Sequence, residues 1–97
     1  MKQYILYGWD GLDGKALERR MAARPGHLIN AARLKQHGNF IIGGAILDEK
    51  DKMIGSTMIM QFETENELQD WLQTEPYIAA GVWARYELRP FRVAQVQ

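Results

Sequence analysis

The sequence predicts an α+β fold whose elements follow in the order βαββαβ, and three patterns indicate it. Aromatic and β-branched residues are concentrated in short segments, as strands require. Longer segments between them carry apolar residues at helical spacing. Turn-forming residues, mainly glycine, aspartate and proline, separate the segments. This order is that of the ferredoxin-like sandwich, in which an antiparallel sheet carries both helices on one face.

Each element follows from its own sequence signal. The predicted strands are residues 3–9, 40–47, 53–62 and 82–91, and the predicted helical segments are residues 15–37 and 64–75. Asp13 closes a turn-forming segment and is the expected N-cap of the first helix. Gly38 is typical of the residue that ends a helix, and the charged residues 48–52 form the turn of a hairpin between the two middle strands.

Proline and capping residues define the helix boundaries. Because proline inside a helix loses a hydrogen bond, we expect a break or kink at Arg24 and Pro25, with a restart that places Pro25 in its first turn. Thr64 and Glu67 form a capping box at the start of the second helix, and Pro76 ends it.

Length and composition indicate one domain spanning residues 1–97, with a modest core. The 12 basic and 12 acidic residues cancel, so no basic patch argues for nucleic acid. The absence of cysteine excludes disulfides, thiolate nucleophiles and zinc-thiolate sites, and it fits a reducing cytoplasm. We find neither a signal-peptide pattern nor an apolar run long enough to cross a membrane, and we expect a cytoplasmic protein without membrane partners.

The predicted sheet carries apolar residues on both faces. In the first strand Tyr4 and Leu6 point one way, whereas Ile5, Tyr7 and Trp9 point the other. The helices cover only one face, and an uncovered apolar face is a liability for a small monomer. We therefore expect a homodimer in which a second subunit packs sheet against sheet.

A histidine and a glutamate lie on the apolar sides of the predicted helices. Glu75 ends an apolar stripe formed at helical spacing by Leu68, Trp71 and Leu72. His27 lies at the edge of an apolar arc formed by Leu28, Ala31, Ala32 and Leu34. A buried histidine facing a buried carboxylate is a simple acid–base pair. By position alone, His27 could instead bond to the helix backbone, and Glu75, just before a proline, could turn into water.

Five segments carry a resemblance to a known family. They are residues 24–28 (RPGHL), 43–48 (GGAILD), 54–56 (IGS), 75–81 (EPYIAAG) and 87–91 (ELRPF). In order and spacing, and over nearly the whole chain, they resemble the YciI (YCII-related) family. The resemblance implies a dimeric α/β-barrel of ferredoxin-like subunits, related in shape to muconolactone isomerase, with a site centred on a histidine and an aspartate. One branch of the family is associated with dehydrochlorination of chlorinated hydroxyhydroquinones.

Through this resemblance His27 and Glu75 become the candidate catalytic residues. The chain departs from the family pattern in two places. Glu75 stands where the family usually has the aspartate of an Asp-Pro-Tyr motif, and Ala45 stands where it has a proline after Gly44. A glutamate keeps the charge but adds a methylene, which changes the geometry of a hydrogen bond to the histidine.

Three further residues are candidate substrate ligands. Arg24 offers a planar cation for an anionic substrate, although a solvated charge at a helix kink is the alternative interpretation. Tyr77 and Ser56 could donate hydrogen bonds to a substrate oxygen, or serve only packing. His27 and His37 are too few and too far apart to indicate a metal site, and no motif demands a cofactor.

The leading functional hypothesis is a cofactor-independent enzyme, isomerase-like or lyase-like, that catalyses proton transfer or elimination on a small oxygenated anion. A non-catalytic module that binds a small ligand is the alternative, because a fold does not specify a function. A purely structural dimer is a third interpretation. His27 and Glu75 discriminate among them, since an enzyme requires both side chains in one cavity, whereas a binding module needs only the cavity.

Overall fold

The computed structural model describes the whole chain, Met1–Gln97, and confirms the βαββαβ order. The strands are β1 (Lys2–Asp10), β2 (Phe40–Leu47), β3 (Met53–Phe62) and β4 (Trp83–Phe91). The helices are α1 (Ala16–Gln36), α2 (Glu65–Thr74) and a short α3 (Pro76–Ala79) that the sequence patterns do not predict. No helix is both long and apolar enough to cross a membrane.

The four strands form one antiparallel sheet in the order β2-β3-β1-β4. β1 lies inside the sheet, where Leu6 is paired with Met58 of β3 on one side and with Leu88 of β4 on the other. This order and pairing are those of the ferredoxin-like sandwich, so the predicted fold class is confirmed.

The helices cover one face of the sheet. Tyr4 and Leu6 are buried on this inner face, whereas Tyr7 is exposed on the outer one, so the predicted alternation of β1 is confirmed. The core is a cluster of 11 buried side chains, namely Tyr4, Leu6, Leu34, Met58, Met60, Phe62, Leu68, Trp71, Tyr77, Val82 and Trp83. The apolar stripe predicted for α2 therefore contributes to this core.

Helix α1 runs without a break through Pro25, so a break at Arg24 and Pro25 with a restart at Pro25 is wrong. Proline inside a helix costs about 3 kcal/mol, and the packing of one continuous helix face offsets this cost. Arg20 and Leu34 are buried on that face, and His27 is half-buried between them. Two turns separate Arg20 from His27, so only an unbroken helix directs both toward the sheet.

Two further details of α1 differ from the prediction. Leu28 is 48% exposed, so the buried arc is rotated relative to the predicted one, and His27 lies inside it rather than at its edge. Asp13 is not the N-cap, because Lys15 occupies that position without a side-chain cap. The Asp13 carboxylate instead accepts from the backbone N–H of Lys15 and pairs with Arg19 at 2.7 Å.

Helix α2 begins as predicted, with Thr64 as its N-cap and the Thr64 hydroxyl accepting from the N–H of Glu67 at 3.2 Å. It ends at Thr74, because Glu75 adopts an extended conformation before Pro76. The chain then enters α3 at once, with Glu75 as the N-cap and Pro76 at the start of the helix. One residue thus ends α2 and starts α3.

The outer face of the sheet is apolar, as expected from the sequence. Ile5 and Tyr7 of β1 lie there beside Ile42 of β2 and Ile59 of β3. These side chains line a cavity of about 400 Å³. No helix of the chain covers this face.

Candidate active site

The centre of the candidate site is a contact between α1 and the junction of α2 and α3. The Nδ1 atom of His27 lies 2.5 Å from Oε1 of Glu75. The Glu75 side chain is 1% exposed and the imidazole is 12% exposed, so the contact is shielded from water. The Nε2 atom of His27 has no hydrogen-bond partner in the chain. A histidine held through one nitrogen, with the other nitrogen free, is arranged for proton transfer.

Glu75 is fixed by two further hydrogen bonds. Its Oε1 accepts from the backbone N–H of Tyr77 at 3.1 Å, which is the N-cap contact of α3. Its Oε2 accepts from Nδ2 of Asn30 at 3.2 Å. The alternative interpretation, in which Glu75 turns into water before Pro76, is therefore wrong. Asn30 follows His27 by three residues on α1, so one face of this helix positions both members of the pair.

Aromatic rings surround the histidine. The imidazole of His27 stacks on Tyr77, with ring centroids 3.9 Å apart and planes at 10°. Trp83 meets the imidazole edge-on, with centroids 6.2 Å apart. The Tyr77 side chain is buried as a whole, and its hydroxyl, which forms no hydrogen bond in the chain, keeps some exposure to solvent. Burial raises the pKa of Tyr77, while the charges of Arg20 and Arg24 oppose the rise, so the phenol is a neutral donor at neutral pH.

A buried ion pair lies next to these rings, and the sequence interpretation missed it. Arg20 donates to both carboxylate oxygens of Asp10, at 2.9 and 3.1 Å, and to the hydroxyl of Ser56 at 2.8 Å. The indole N–H of Trp83 donates to the same hydroxyl at 3.2 Å. The guanidinium carbon of Arg20 lies 4.8 Å from the ring centroid of Tyr77. The ion pair therefore supports the ring on which the histidine stacks.

Helical spacing is the signal that could have identified Arg20. Arg20 precedes His27 by seven residues, and residues seven apart on a helix share a face. Arg24, one turn after Arg20, is half-buried and forms no ion pair in the chain. Arg24 precedes His27 by three residues on α1, so the two residues are neighbours on one side of the helix. The predicted contact of Arg24 with a substrate stays a prediction.

Ser56 is placed behind the aromatic rings. It is 2% exposed, and its oxygen already accepts hydrogen bonds from Arg20 and Trp83. This placement favours a role in positioning these two side chains over the predicted direct contact with a substrate.

Neither His27 nor Glu75 lines a cavity of the single chain. The chain has three cavities: one lies beside the C-terminal segment, one lies at one end of the sheet, and one lies on the outer face of the sheet. The predicted direct contact of His27 and Glu75 is present, but the prediction that the pair lies near one pocket is not met in the single chain. No group of three or more His, Cys, Asp or Glu side chains is placed to hold a metal ion. His37 directly follows the C-terminal end of α1, and its Nδ1 is hydrogen-bonded to the carbonyl of Arg33.

Comparison with known proteins identifies the family. The pattern of the YCII-related domain matches residues 7–92. The chain belongs to the YCII-related family. This YCII-related protein is 34% identical over 95 residues to Protein YciI of Escherichia coli O6:H1 and of Shigella flexneri, covering 92% of this chain and 95% of each relative. An uncharacterized protein of Haemophilus influenzae shows the same identity and coverage.

Solved structures confirm the fold of this YCII-related protein. The 5-chloro-2-hydroxyhydroquinone dehydrochlorinase of Burkholderia phenoliruptrix AC1100, in complex with 2,5-dihydroxybenzoquinone, matches it with a TM-score of 0.79 and 26% identity over 95% of each chain. An antibiotic biosynthesis monooxygenase matches 98% of this chain and 100% of its own with a TM-score of 0.59 and 13% identity, which shows a shared fold alone.

Proposed function

We propose that this protein is a cofactor-independent enzyme that catalyses proton transfer or elimination on a small oxygenated anion. The observation that carries the proposal is the 2.5 Å contact between His27 Nδ1 and Glu75 Oε1, with Nε2 of the same histidine unbonded. No cavity of the single chain adjoins this pair, so the proposal requires that a second subunit or the bound substrate completes one. The likeness to a dehydrochlorinase over nearly the full chain supports elimination as the reaction type.

The proposed roles follow from this geometry. In the neutral imidazole of His27, the N–H group at Nδ1 donates a hydrogen bond to Glu75, and the lone pair is then on Nε2. Nε2 removes a proton from a hydroxyl or an acidic carbon of the substrate, and the released electron pair expels a leaving group or moves within the substrate. The negative charge of Glu75 stabilises the imidazolium, which then returns the proton to the product or to water.

The substrate contacts that we propose use groups left without partners in the chain. Arg24 supplies an unpaired cation for an anionic oxygen. The Tyr77 hydroxyl donates a hydrogen bond to a second oxygen. Ser56 acts indirectly, by holding Arg20 and Trp83 in place. These contacts fit a small phenolate or enolate rather than an apolar substrate.

We also propose that the protein acts as a homodimer. The apolar outer face of the sheet, with Ile5, Ile42 and Ile59, supports packing of two sheets against each other. The cytoplasmic location expected from the sequence stays a prediction.

A deuterium-exchange assay over two classes of small oxygenated compound tests the enzyme proposal. The protein is incubated in D₂O with hydroxylated aromatic acids and chlorinated hydroquinones, while NMR records exchange at carbon and an electrode records chloride release. We expect turnover that falls by about 100-fold or more in His27→Gln, with His37→Gln as the matched control that keeps activity. Saturable ligand binding without exchange or release would instead establish the non-catalytic binding module.

A further inference from the structure

A second cavity, here called the strand-end cavity, lies where β1 ends and β3 and α1 begin. Its volume is about 360 Å³, and seven of its 12 lining residues are hydrophobic. Small-molecule sites have volumes of about 300–1,000 Å³ and combine apolar walls with a few polar groups. The side chains that matter below are those of Leu12, Ala16, Lys52, Ile54 and Arg85.

The lining of the strand-end cavity holds two carboxylates that are paired with arginines and two cations that are not paired. Asp10 and Asp13 each form an ion pair with an arginine of α1, at 2.9 and 2.7 Å. Lys52 and Arg85 form no ion pair in the chain. The carboxylate of Asp48 accepts from the backbone N–H of Lys52 and not from its ammonium group. The two cations are therefore free to hold an anion.

The two cations come from different elements. Lys52 immediately precedes β3, and Arg85 lies on β4 opposite Trp9 of β1. The guanidinium carbon of Arg85 is 5.8 Å from the indole centroid of Trp9, which limits where the cation can move. The apolar part of the wall comes from Leu12 in the loop, from the first turn of α1 and from the strands, including Ile54 of β3. Leu12 is fully exposed, so an apolar ligand group would cover a side chain that nothing in the chain covers.

We propose that the strand-end cavity binds a small amphipathic carboxylate whose apolar body is one or two rings in size. The carboxylate binds Lys52 and Arg85, and the rings pack against Leu12, Ala16 and Ile54. This site contains neither His27 nor Glu75, and it meets the candidate active site only through Asp10, which lines the cavity and pairs with Arg20.

Backbone amide NMR of the full chain tests this site, with 2-naphthoate as the probe. We expect saturable shift changes at Gly11, Leu12 and Ile54. Lys52→Gln and Arg85→Gln should each weaken binding by about tenfold, the effect of losing one hydrogen bond to a charged group. The neutral isostere 2-naphthalenemethanol should bind more weakly than 2-naphthoate by a similar factor.

Two variants serve as matched controls. Lys50→Gln removes a cation from the same turn but outside the cavity, and His27→Gln alters the proposed active site, so both should bind 2-naphthoate as the wild type does. The proposal is overturned if no saturable shift occurs, if the shifts concentrate around His27 and Tyr77, if the alcohol binds as tightly as the carboxylate, or if Lys50→Gln weakens binding as much as Lys52→Gln.

Discussion

His27 and Glu75 are 48 residues apart in the sequence, and their side chains meet at 2.5 Å. The contact depends on two prolines that have opposite effects on the helices around them. Helix α1 continues through Pro25 and keeps the histidine on its buried face, whereas the helical region that contains Glu75 is interrupted before Pro76. The interruption turns the Glu75 carboxylate into the N-cap of α3, directed at α1. The glutamate therefore starts a helix and fixes the histidine at the same time.

Breaking the buried ion pair should cost more stability than breaking its exposed counterpart. Asp10→Asn leaves the buried cation of Arg20 without its counter-charge, and we expect the free energy of unfolding to fall by about 3–5 kcal/mol. Asp13→Asn breaks a pair of similar length whose members are partly or largely exposed, and it should have a much smaller effect. Urea denaturation of both variants measures the difference, and equal losses would contradict the account.

The stability contributed by the exposed ion pair of Asp13 and Arg19 should be lost in acid. A hydrogen bond from Arg19 holds the pKa of Asp13 below its usual 3.8. A carboxylate whose pKa is lowered by folding adds stability above its unfolded-state pKa and loses it as the pH falls through the folded-state value. The stability difference between the wild type and Asp13→Asn should therefore be full at neutral pH and shrink below pH 3.8. A difference that stays constant across this range in urea titrations would refute the assignment.

The ionisation of Tyr77 should lower the stability of the protein at alkaline pH. Burial raises its pKa above 10.0, so as the pH rises the unfolded chain ionises this phenol before the folded one does. Its contribution is then full below pH 10.0 and is lost as the pH rises through the folded-state pKa. Above pH 10.0 the wild type should lose stability faster than Tyr77→Phe, and phenolate absorbance should show a late-titrating tyrosine. Parallel stability curves for the two proteins would argue against it.

The homodimer proposal makes different predictions for two surfaces with exposed apolar residues, the outer face of the sheet and the exposed side of α1. Ile59→Lys places a charge on the outer face of the sheet, and we expect it to yield a monomer in light scattering at micromolar concentration. Leu28→Lys places the same charge on an exposed position of α1 and should keep the wild-type mass of about twice 11.2 kDa. A monomeric wild type, or dissociation only in the α1 variant, would rule out sheet-to-sheet packing.

The fold could be predicted from the sequence because its signals are local. Period-two alternation identifies the faces of β1, and the capping residues Thr64 and Glu67 identify the start of α2. Pro25 predicts a break in α1 that does not occur. The rule for proline in helices is local and does not include the packing of α1 on its neighbours. A side chain at Gly26 would lie 3.4 Å from the ring of Pro76, which shows how closely α1 and α3 approach.

The candidate site could be predicted only in part. His27 and Glu75 are recognisable because each is a titratable residue on an apolar side of a helix. Asp10 lies at the start of a turn-forming segment and has no distinctive pattern. Arg20 shares a helix face with His27, but it stands among other charges in the sequence. Their pairing depends on the end of β1 lying beside the first turns of α1, which is a tertiary relationship.

The position of the imidazole proton tests the central claim most directly. A long-range ¹H–¹⁵N correlation spectrum, recorded at a pH where His27 is neutral, distinguishes its two tautomers. If Glu75 accepts a hydrogen bond from Nδ1, the spectrum should show a protonated Nδ1 and an unprotonated Nε2, the nitrogen that is free to act as a base. A proton on Nε2 in the neutral ring would contradict the account, because the nitrogen facing the substrate would then have no lone pair with which to accept a proton.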